Sequence, residues 1–410
     1  MSLVRYLPTP SDRMGILWSL LAVEDSVILE YGPAGTTHYS MSLFGELGVD
    51  QQNRIFTTHM SEDDVVMGDV SRLERALVEV DEGYHPQVIF VVASSVSAVI
   101  GTDLRGVCAY MQEKCKARLI AFEQGGFRGD WSVGIAEAYK LLVQHLVEAD
   151  TPIKSGTYNI IGASAGSFRA RSDMGEMKRL MREAFGMECH ACLCLDTTVD
   201  AIRTMGSAEV NLVLRDEAVP AVRMLEESCG TPWVQGAPYG YAGTLSWLEA
   251  VGKAVNRPVA PELVGTLKKR AMEAGQYRMY AMMLKEHKPQ VSLFGEYGAV
   301  QGLSGLMAEI GFPVANKVCS HSLRMMGQPD DAVKHMASEK ERIALVKSLH
   351  HQLVLADDVT HHLLAEDNTW LRISTPLVDG AQIATHLPFI GPRGADMILE
   401  TVENYLNTLK

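Results

Sequence analysis

The sequence has no long apolar run, few basic residues and few cysteines, and each of these scarcities excludes a class of protein. No apolar run approaches the roughly 20 residues that a membrane-spanning helix needs, so we expect no membrane partner. The opening segment, MSLVRYLPTPSDR, lacks an apolar core, so we predict no secretory signal and a cytoplasmic location. Lysine and arginine number 37 against 50 acidic residues, which gives a net charge of −13. Without a dense basic cluster to follow a phosphate backbone, nucleic acid is excluded as the main partner.

The cysteines are odd in number and unevenly spaced, which argues against a disulfide framework. The tightest group, Cys189, Cys192 and Cys194 with His190 between them, superficially resembles a metal motif. We predict a strand here, in which alternation puts Cys192, Cys194 and His190 on one face and Cys189 on the other. A buried parallel strand that uses cysteine as a small hydrophobic residue explains the pattern, and we favour this interpretation over a metal site.

What the sequence does contain is a repeated alternation of short apolar runs, polar or glycine-containing turns, and amphipathic helical stretches. At 410 residues, with 47% apolar and 21% charged residues, the chain is predicted to be globular with more than one domain. Most of the apolar runs are continuous, as expected for parallel strands that are covered on both faces. The predicted strands are Ser26–Glu30, Arg54–Thr57, Gln87–Ala93, Arg118–Phe122, Thr157–Gly162, Glu188–Leu195, Glu209–Leu214, Gln290–Phe294, Val314–Val318 and Leu353–Ala356.

The alternation of strands and helices predicts an α/β fold of three doubly wound, Rossmann-like parallel-sheet domains with right-handed crossovers. One seam falls near Asp150, where a long helix ends before a new strand begins, and another near Pro289. We therefore predict domains at residues 1–150, 151–286 and 287–410, with a closing helix at the end of the third. A helix from about Leu263 to Leu284 is expected to link the second and third domains.

Two glycine-rich segments each follow a predicted strand. The loop at residues 31–39 fits a ligand site and an ordinary threonine-capped turn equally well. The segment from Gly162 to Gly166 places Ser164 where a hydrolase would carry its nucleophile, with His361 or His386 as the histidine that this alternative needs. No convincing oxyanion-hole motif precedes it, so we favour a turn. The adjacent histidines at 350–351 and 361–362 point to different sides of a helix, so we interpret them as exposed or interface residues.

Several stretches resemble, in order, segments of one known family: Tyr31-Gly32-Pro33-Ala34-Gly35, residues 57–69, Ser94-Ser95-Val96, Gly101-Thr102-Asp103-Leu104 and Pro388-Phe389-Ile390-Gly391-Pro392-Arg393-Gly394-Ala395. Over nearly its whole length the chain resembles the nitrogenase component 1 family. That family includes nitrogenase molybdenum–iron protein subunits, cofactor-assembly scaffolds and protochlorophyllide reductase subunits. The resemblance implies a three-domain fold that holds iron–sulfur clusters at a subunit interface and receives electrons from a separate ATP-dependent iron protein.

The resemblance also implies that the usual metal ligands are missing. Carried over position by position, the three cluster cysteines of the family fall at Ser11, Thr36 and Ser95. Thiolates hold iron–sulfur clusters because soft sulfur suits iron, and a neutral hydroxyl is a poor substitute. The cysteine that binds the nitrogenase cofactor corresponds to Arg215, and the cofactor histidine falls close to His386. The resemblance thus implies neither a nitrogenase-type cofactor nor a three-thiolate site from this chain alone.

Three interpretations stay open. The chain is a ligand-poor subunit whose iron–sulfur cluster takes its ligands from a partner, or it holds a cluster through oxygen or nitrogen ligands, with Asp12, His38 and His59 nearby. The third interpretation is that it has lost redox work, holds no cofactor and keeps the fold as a binding or scaffold module. Because hydroxyls are weak ligands, we disfavour the second.

We predict an oxidoreductase subunit that is paired with a homologous component 1-type chain or with itself. It belongs to an ATP-dependent reductase complex that receives electrons from an iron protein. The alternative is a cluster-free binding or scaffold protein that uses the cleft between its domains.

Overall fold

Three parallel sheets organise the chain. The computed structural model describes residues 4–6, 8–38, 54–283, 288–380 and 383–409. Its strands are β1 (Val23–Glu24), β2 (Ser26–Tyr31), β3 (Ile55–Thr57), β4 (Val88–Ala93), β5 (Arg118–Phe122), β6 (Thr157–Ile161), β7 (Glu188–Leu193), β8 (Thr197–Thr198), β9 (Val210–Val213), β10 (Trp233–Gln235), β11 (Val291–Gly295), β12 (Val314–Cys319), β13 (Val333–His335), β14 (Leu353–Ala356) and β15 (Thr369–Arg372).

The strand orders of the three sheets are β3-β2-β4-β5, β10-β9-β6-β7 and β13-β12-β11-β14-β15. In each sheet the chain starts from an inner strand and moves outward on both sides, which is the doubly wound arrangement. A separate parallel pair joins β1 to β8. The predicted α/β fold of three doubly wound, Rossmann-like sheets is therefore confirmed.

Helices cover the sheets and connect their strands. The α-helices are Asp12–Leu20, Glu62–Met67, Ser71–Tyr84, Ser95–Val99, Leu104–Met111, Trp131–Leu146, Ala170–Phe185, Val199–Arg203, Val219–Cys229, Tyr241–Ala254, Pro261–Met283, Tyr297–Glu309, Glu339–Lys347, Asp358–His361 and Gly391–Thr408. Residues 34–38 are also helical. Short 3-10 helices are Gln112–Lys114, Met205–Ser207, Asp216–Ala218 and Leu323–Met325. In the part of the chain described, no helix is both long and apolar enough to cross a membrane.

The inner strands form because most of their side chains are apolar on both faces. Every residue of β2, β4, β9, β11 and β14 is buried, since helices cover both sides of each sheet. Local caps define where several helices begin. Asp130 accepts the backbone N–H of Ser132 at 3.1 Å and starts the helix Trp131–Leu146. Ser61 and Asp64 form a reciprocal capping box before the helix Glu62–Met67.

The helix Asp12–Leu20 crosses the helix Trp131–Leu146 unusually closely, through a glycine on each. A β-carbon built on Gly134 would lie 2.6 Å from the carbonyl carbon of Asp12, and one on Gly15 would lie 2.8 Å from that of Trp131. Two tryptophan rings, those of Trp18 and Trp131, meet edge to face here at 6.1 Å. The largest hydrophobic core of the protein contains this crossing and includes residues from all three sheets.

The structure differs from the sequence prediction mainly at sheet edges. β10, β13 and β15 were not predicted; each is an edge strand, and their sequences carry polar residues among the apolar ones. The domain boundary predicted at 286–287 lies outside the described residues. So do Leu284, the predicted end of the linking helix, and Tyr39, the last residue of the first glycine-rich loop. The domain limits at 150 and 286 stay predictions.

The cysteine-containing strand is shorter than predicted. β7 ends at Leu193, and Cys194 follows it in a turn with a φ of 68°. The β6–β7 ladder shifts register so that His190 has no partner residue, which interrupts the alternation. The predicted shared face of His190, Cys192 and Cys194 is therefore wrong. Cys192 is nevertheless buried as a small hydrophobic residue, and burial raises the pKa of its thiol.

Candidate functional site

The first site lies at the carboxyl edge of the first sheet, where β2 and β4 run side by side. Sheets of this topology bind ligands at the carboxyl ends of two neighbouring strands whose following connections run to opposite sides. β4 leads into a helix that begins at Ser95, and Ser11 immediately precedes the helix Asp12–Leu20. A β-carbon built on Gly126 would lie 3.2 Å from Ser11 Oγ and 3.6 Å from Ser95 Oγ. The structure therefore brings two of the three predicted cluster positions together.

The third position, Thr36, belongs to a buried polar cluster around Glu30 in β2. Thr36 Oγ1 donates to Glu30 Oε1 at 2.8 Å, and Thr37 Oγ1 donates to Oε2 at 3.0 Å. Arg13 pairs with the same Oε2 at 2.5 Å and compensates the charge of a fully buried carboxylate. The Thr36 side chain is thus directed toward Glu30 by a charge-assisted hydrogen bond.

The hydroxyl groups at these positions do not fit an iron–sulfur cluster. Ser95 Oγ donates its proton to the Gly125 carbonyl oxygen at 2.7 Å, as Thr36 does to Glu30. A cluster ligand must be deprotonated and is ordinarily a thiolate. The Ser95 and Thr36 hydroxyls keep their protons in these bonds, and Ser11 likewise offers a hydroxyl and no thiolate, so the first site lacks the donors that a cluster requires.

The other proposed ligands near this site do not converge. Asp12 is fully buried, and its pKa is raised because burial outweighs the backbone N–H groups of Arg128 and Arg13. His38 and His59 are exposed. Within the described ranges, no group of three or more His, Cys, Asp or Glu side chains could hold a metal ion. A ligand role for Asp12, His38 and His59 stays a prediction.

A larger site, here called the inter-sheet cavity, lies at the carboxyl ends of β6, β9 and β11, with a volume of about 400 Å³. Gly162 follows β6 with a φ of 111°, and a β-carbon on it would lie 3.1 Å from Cγ of Arg215, so glycine allows the two strand ends to approach. The walls are mostly apolar, with contributions from Trp131, Phe168, Tyr239, Met326, Ile373 and Phe389. No cysteine is among the described residues that line it.

Arg215 lines the inter-sheet cavity and is held by two acceptors. Its Nη2 donates to Ser167 Oγ and to Glu296 Oε2, each at 2.9 Å. The guanidinium carbon lies 5.8 Å from the centre of the Trp131 ring. Burial opposes its charge and is the largest single effect, but Glu296, Tyr139 and Glu217 together outweigh burial and raise the pKa of Arg215. An ion pair between the second and third sheets therefore lies where the family resemblance would place a thiolate.

Three further ionisable groups line the inter-sheet cavity. Asp173 Oδ1 accepts the backbone N–H of Phe389 at 2.6 Å, and burial raises the pKa of this carboxyl group to about 7. Glu217 is 2% exposed, and burial raises its pKa as well. Its Oε1 lies 3.9 Å from Nδ1 of His321. Nε2 of His321 accepts the backbone N–H of Tyr297 at 3.1 Å.

The remaining candidates do not assemble a catalytic group. His386 is exposed on a turn and does not line the inter-sheet cavity. Ser164 does line it, but its Oγ accepts the N–H of Gly166 at 3.2 Å, as expected for the turn that we favoured over a nucleophile. His361 stacks on Trp370 with ring centroids 3.9 Å apart, beside the third sheet. The hydrolase alternative gains no support from these positions.

Sequence reasoning missed the polar groups of the inter-sheet cavity. Glu296 directly follows β11 and His321 lies two residues after β12, so the rule that ligands bind at carboxyl strand ends could have found them. Asp173 lies in the first turn of the helix Ala170–Phe185, and nothing in the local sequence distinguishes it from an ordinary helix-start carboxylate.

The class of protein follows from the fold, which has three parallel sheets, one site at a sheet edge and a cavity between sheets. The sequence model described as nitrogenase component 1 type oxidoreductase matches residues 11–407. The chain therefore belongs to the nitrogenase component 1 type oxidoreductase family, and the resemblance seen in the sequence is confirmed.

Its relatives include both assembly proteins and nitrogenase subunits. The nitrogenase iron-molybdenum cofactor biosynthesis protein NifE of Clostridium pasteurianum is 26% identical over 68% of this chain and 61% of that protein. NifE of Sinorhizobium fredii is 24% identical over 85% of this chain and 71% of that protein. The nitrogenase molybdenum-iron protein alpha chain of Clostridium pasteurianum is 26% identical over 58% of this chain and 45% of its own length. The chain thus spans about half to two thirds of most of these relatives.

Solved structures confirm the fold. The structure described as "Nitrogenase Cp1 at pH 6.5" superimposes with a TM-score of 0.81 and 18% identity, covering 99% of this chain and 94% of that one. A second, described as "Nitrogenase Cp1 at pH 5", gives a TM-score of 0.72 over 100% of this chain.

Proposed function

We propose that this chain is a component 1-type oxidoreductase subunit that pairs with a homologous component 1-type chain or with a second copy of itself. The complex is an ATP-dependent reductase that receives electrons from an iron protein. Because the first site offers hydroxyls and no thiolates, an iron–sulfur cluster at the shared interface takes its ligands from the partner. Family membership supports the oxidoreductase class, and the surface around the first site supports the pairing.

The observation that carries the proposal is the apolar edge of the first site. Val99 is 72% exposed and ends the helix that starts at Ser95, while Phe127 is 68% exposed. Two residues before Phe127 the backbone approaches the start of that helix, since a β-carbon on Gly125 would lie 3.0 Å from the carbonyl oxygen of Ser94. Large exposed apolar side chains beside a polar pocket are typical of an interface between subunits.

Co-expression tests the pairing directly. The tagged chain is produced with a homologous component 1-type chain, and the complex is measured by light scattering, iron content and ATP-dependent reduction by an iron protein. Phe127→Asp buries a charge at the interface and is expected to weaken association by at least about tenfold. Ile153→Asp is the matched control, because Ile153 is 71% exposed but precedes β6, on a different sheet.

Equal assembly of Phe127→Asp and the unsubstituted chain would contradict the proposed interface. A chain that stays monomeric with every homologue and alone would contradict the pairing itself.

The inter-sheet cavity favours a second candidate function, a cluster-free binding protein. A concave, mostly apolar cavity of about 400 Å³ with a few polar groups is typical of small-molecule sites. The described residues that line it include no thiolate that would anchor a cluster. Iron-free protein that binds an organic ligand in this cavity would support this function, and the choice of ligand follows from the charges of its walls.

A further inference from the structure

Acidic groups outnumber basic ones on the walls of the inter-sheet cavity. Among the described residues that line it, Asp173, Asp216, Glu217 and Glu296 carry carboxyl groups and Arg215 alone carries a guanidinium. Arg215 is already paired with Glu296 at 2.9 Å, so it is committed to a wall carboxylate. Above about pH 7, where Asp173 is ionised, the field inside the cavity is therefore weighted toward negative charge, which disfavours an anion and favours a cation.

Oxygen atoms on these walls are left without a donor. Asp173 uses Oδ1 to accept the Phe389 N–H, and Glu296 uses Oε2 to accept from Arg215 and a serine. Among the residues that the structure describes, none donates to Asp173 Oδ2, Glu296 Oε1 or the Tyr239 hydroxyl. Asp173, Glu296 and Tyr239 all line this one cavity, and the two carboxylates contribute to the raised pKa of Tyr239.

The rest of the inter-sheet cavity suits an apolar body. Phe168 and Phe389 pack together with ring centroids 5.9 Å apart, and Trp131, Met174 and Ile373 complete the apolar walls. Aromatic faces attract cations and accommodate flat apolar groups. The cavity thus combines acceptors without donors, an excess of acid groups and aromatic walls.

We propose that the inter-sheet cavity binds an organic cation, whose ammonium or amidinium group donates to Asp173 and Glu296 while its apolar body contacts Phe168 and Phe389. The inference rests on the second candidate function above and specifies its ligand class. The hydrogen bonds to two carboxylates are charge-assisted, which gives the head group its specificity.

Three probes of similar shape test the head group on the purified full-length chain. Phenethylamine carries the ammonium group, phenethyl alcohol is its neutral counterpart, and phenylacetate is its anionic counterpart. Calorimetric titration is expected to show phenethylamine binding at least about tenfold more tightly than the alcohol, with phenylacetate weakest. Thermal unfolding with each probe gives an independent measure of the same order.

Two single substitutions locate the binding group. Asp173→Asn keeps the oxygen that accepts the Phe389 N–H but replaces the other oxygen with a donor, which would face the ammonium group. Glu296→Gln removes the second charge. Each is expected to weaken phenethylamine binding by at least about tenfold, whereas Glu113→Gln, an exposed carboxylate near the first sheet, leaves it unchanged. Circular dichroism confirms that each variant is folded.

The pH dependence of binding adds a third readout. The charged or titratable groups that act on Asp173 are Arg169, Glu296 and Tyr239. Because its pKa is about 7, the ionised fraction of Asp173 rises about tenfold between pH 6 and pH 8. Phenethylamine affinity should strengthen by about the same factor over that range and lose this dependence in Asp173→Asn.

The outcomes separate the ligand class from the binding function. Tight binding of phenylacetate or the alcohol, or unchanged amine binding in both variants, would overturn the cation proposal and leave the cavity-binding function standing. If none of the three probes binds, both fail together. Amine binding that is weakened in both variants supports the proposal, whatever the result of the subunit-pairing experiment.

Discussion

Replacing Gly134 with alanine should destabilise the protein where the helices Asp12–Leu20 and Trp131–Leu146 cross. The new methyl carbon would lie 2.6 Å from the carbonyl carbon of Asp12, whereas carbon atoms pack best at about 3.5–4.0 Å. The atoms in the way belong to backbone and cannot rotate aside, so the helices must separate by about 1 Å. Two tryptophans, Trp18 and Trp131, pack at the same crossing and would shift with them.

The sign of the change in the free energy of unfolding shows whether there is space for the methyl group. Alanine in place of glycine inside a helix gains about 1 kcal/mol in the free energy of unfolding when there is space for the methyl group. Overpacking of a well-filled core costs about 1–3 kcal/mol and sometimes more. Because the obstruction at Gly134 is backbone, we expect the upper part of that range and a net loss of about 2 kcal/mol.

Urea unfolding followed by tryptophan fluorescence measures the change. Gly175→Ala is the matched control, because Gly175 lies inside the helix Ala170–Phe185 with nothing within 4 Å of a built β-carbon. The control should raise the urea midpoint and Gly134→Ala should lower it. If Gly134→Ala matched or exceeded the unsubstituted protein, the close crossing would not be a tightly packed contact.

Two further predictions concern the inter-sheet cavity. Arg215→Met leaves the largely buried Glu296 without its ion-pair partner and should lower the free energy of unfolding by about 3 kcal/mol. The double variant Arg215→Met with Glu296→Gln should recover at least half of this lost free energy. Equal urea midpoints for the two variants and the unsubstituted protein would refute the pairing. The pKa of Asp173 rises from its ordinary 3.8 to about 7 on burial, so the folded protein loses stability as pH increases between these values. Asp173→Asn should therefore gain thermal stability relative to the unsubstituted protein from about pH 4 to about pH 7, and a pH-independent difference in Tm would contradict this.

The inner strands were predictable because their sequences depend on burial alone. A run such as Val88–Ala93 is apolar at every position, as both faces of the sheet require. Val333–His335 mixes an apolar residue with two polar ones, since an edge strand is partly exposed and its pairing is decided by neighbours distant in sequence. Periodicity therefore located the centres of the sheets better than their margins.

The candidate sites were only partly predictable for a related reason. The positions of Ser11 and Ser95 followed from the family resemblance, and the structure brings both to Gly126. The polar cluster around Glu30 depends on Arg13, which the helix preceding β2 carries to the end of that strand. Burial raises the pKa of Asp173 and outweighs a backbone N–H donor 216 residues farther along the chain, which lowers it; no local pattern encodes either effect.

β1 pairs with β8, so two strands that are distant in sequence are neighbours in the fold. Val23 and Glu24 lie beside Thr197 and Thr198, on the far side of the connection at residues 150–156. A protease that cuts this connection would produce two fragments that remain bound to each other through that small sheet and the largest hydrophobic core, which contains residues from both sides of the cut. Nicked protein would therefore migrate as one particle in solution and separate only in denaturant.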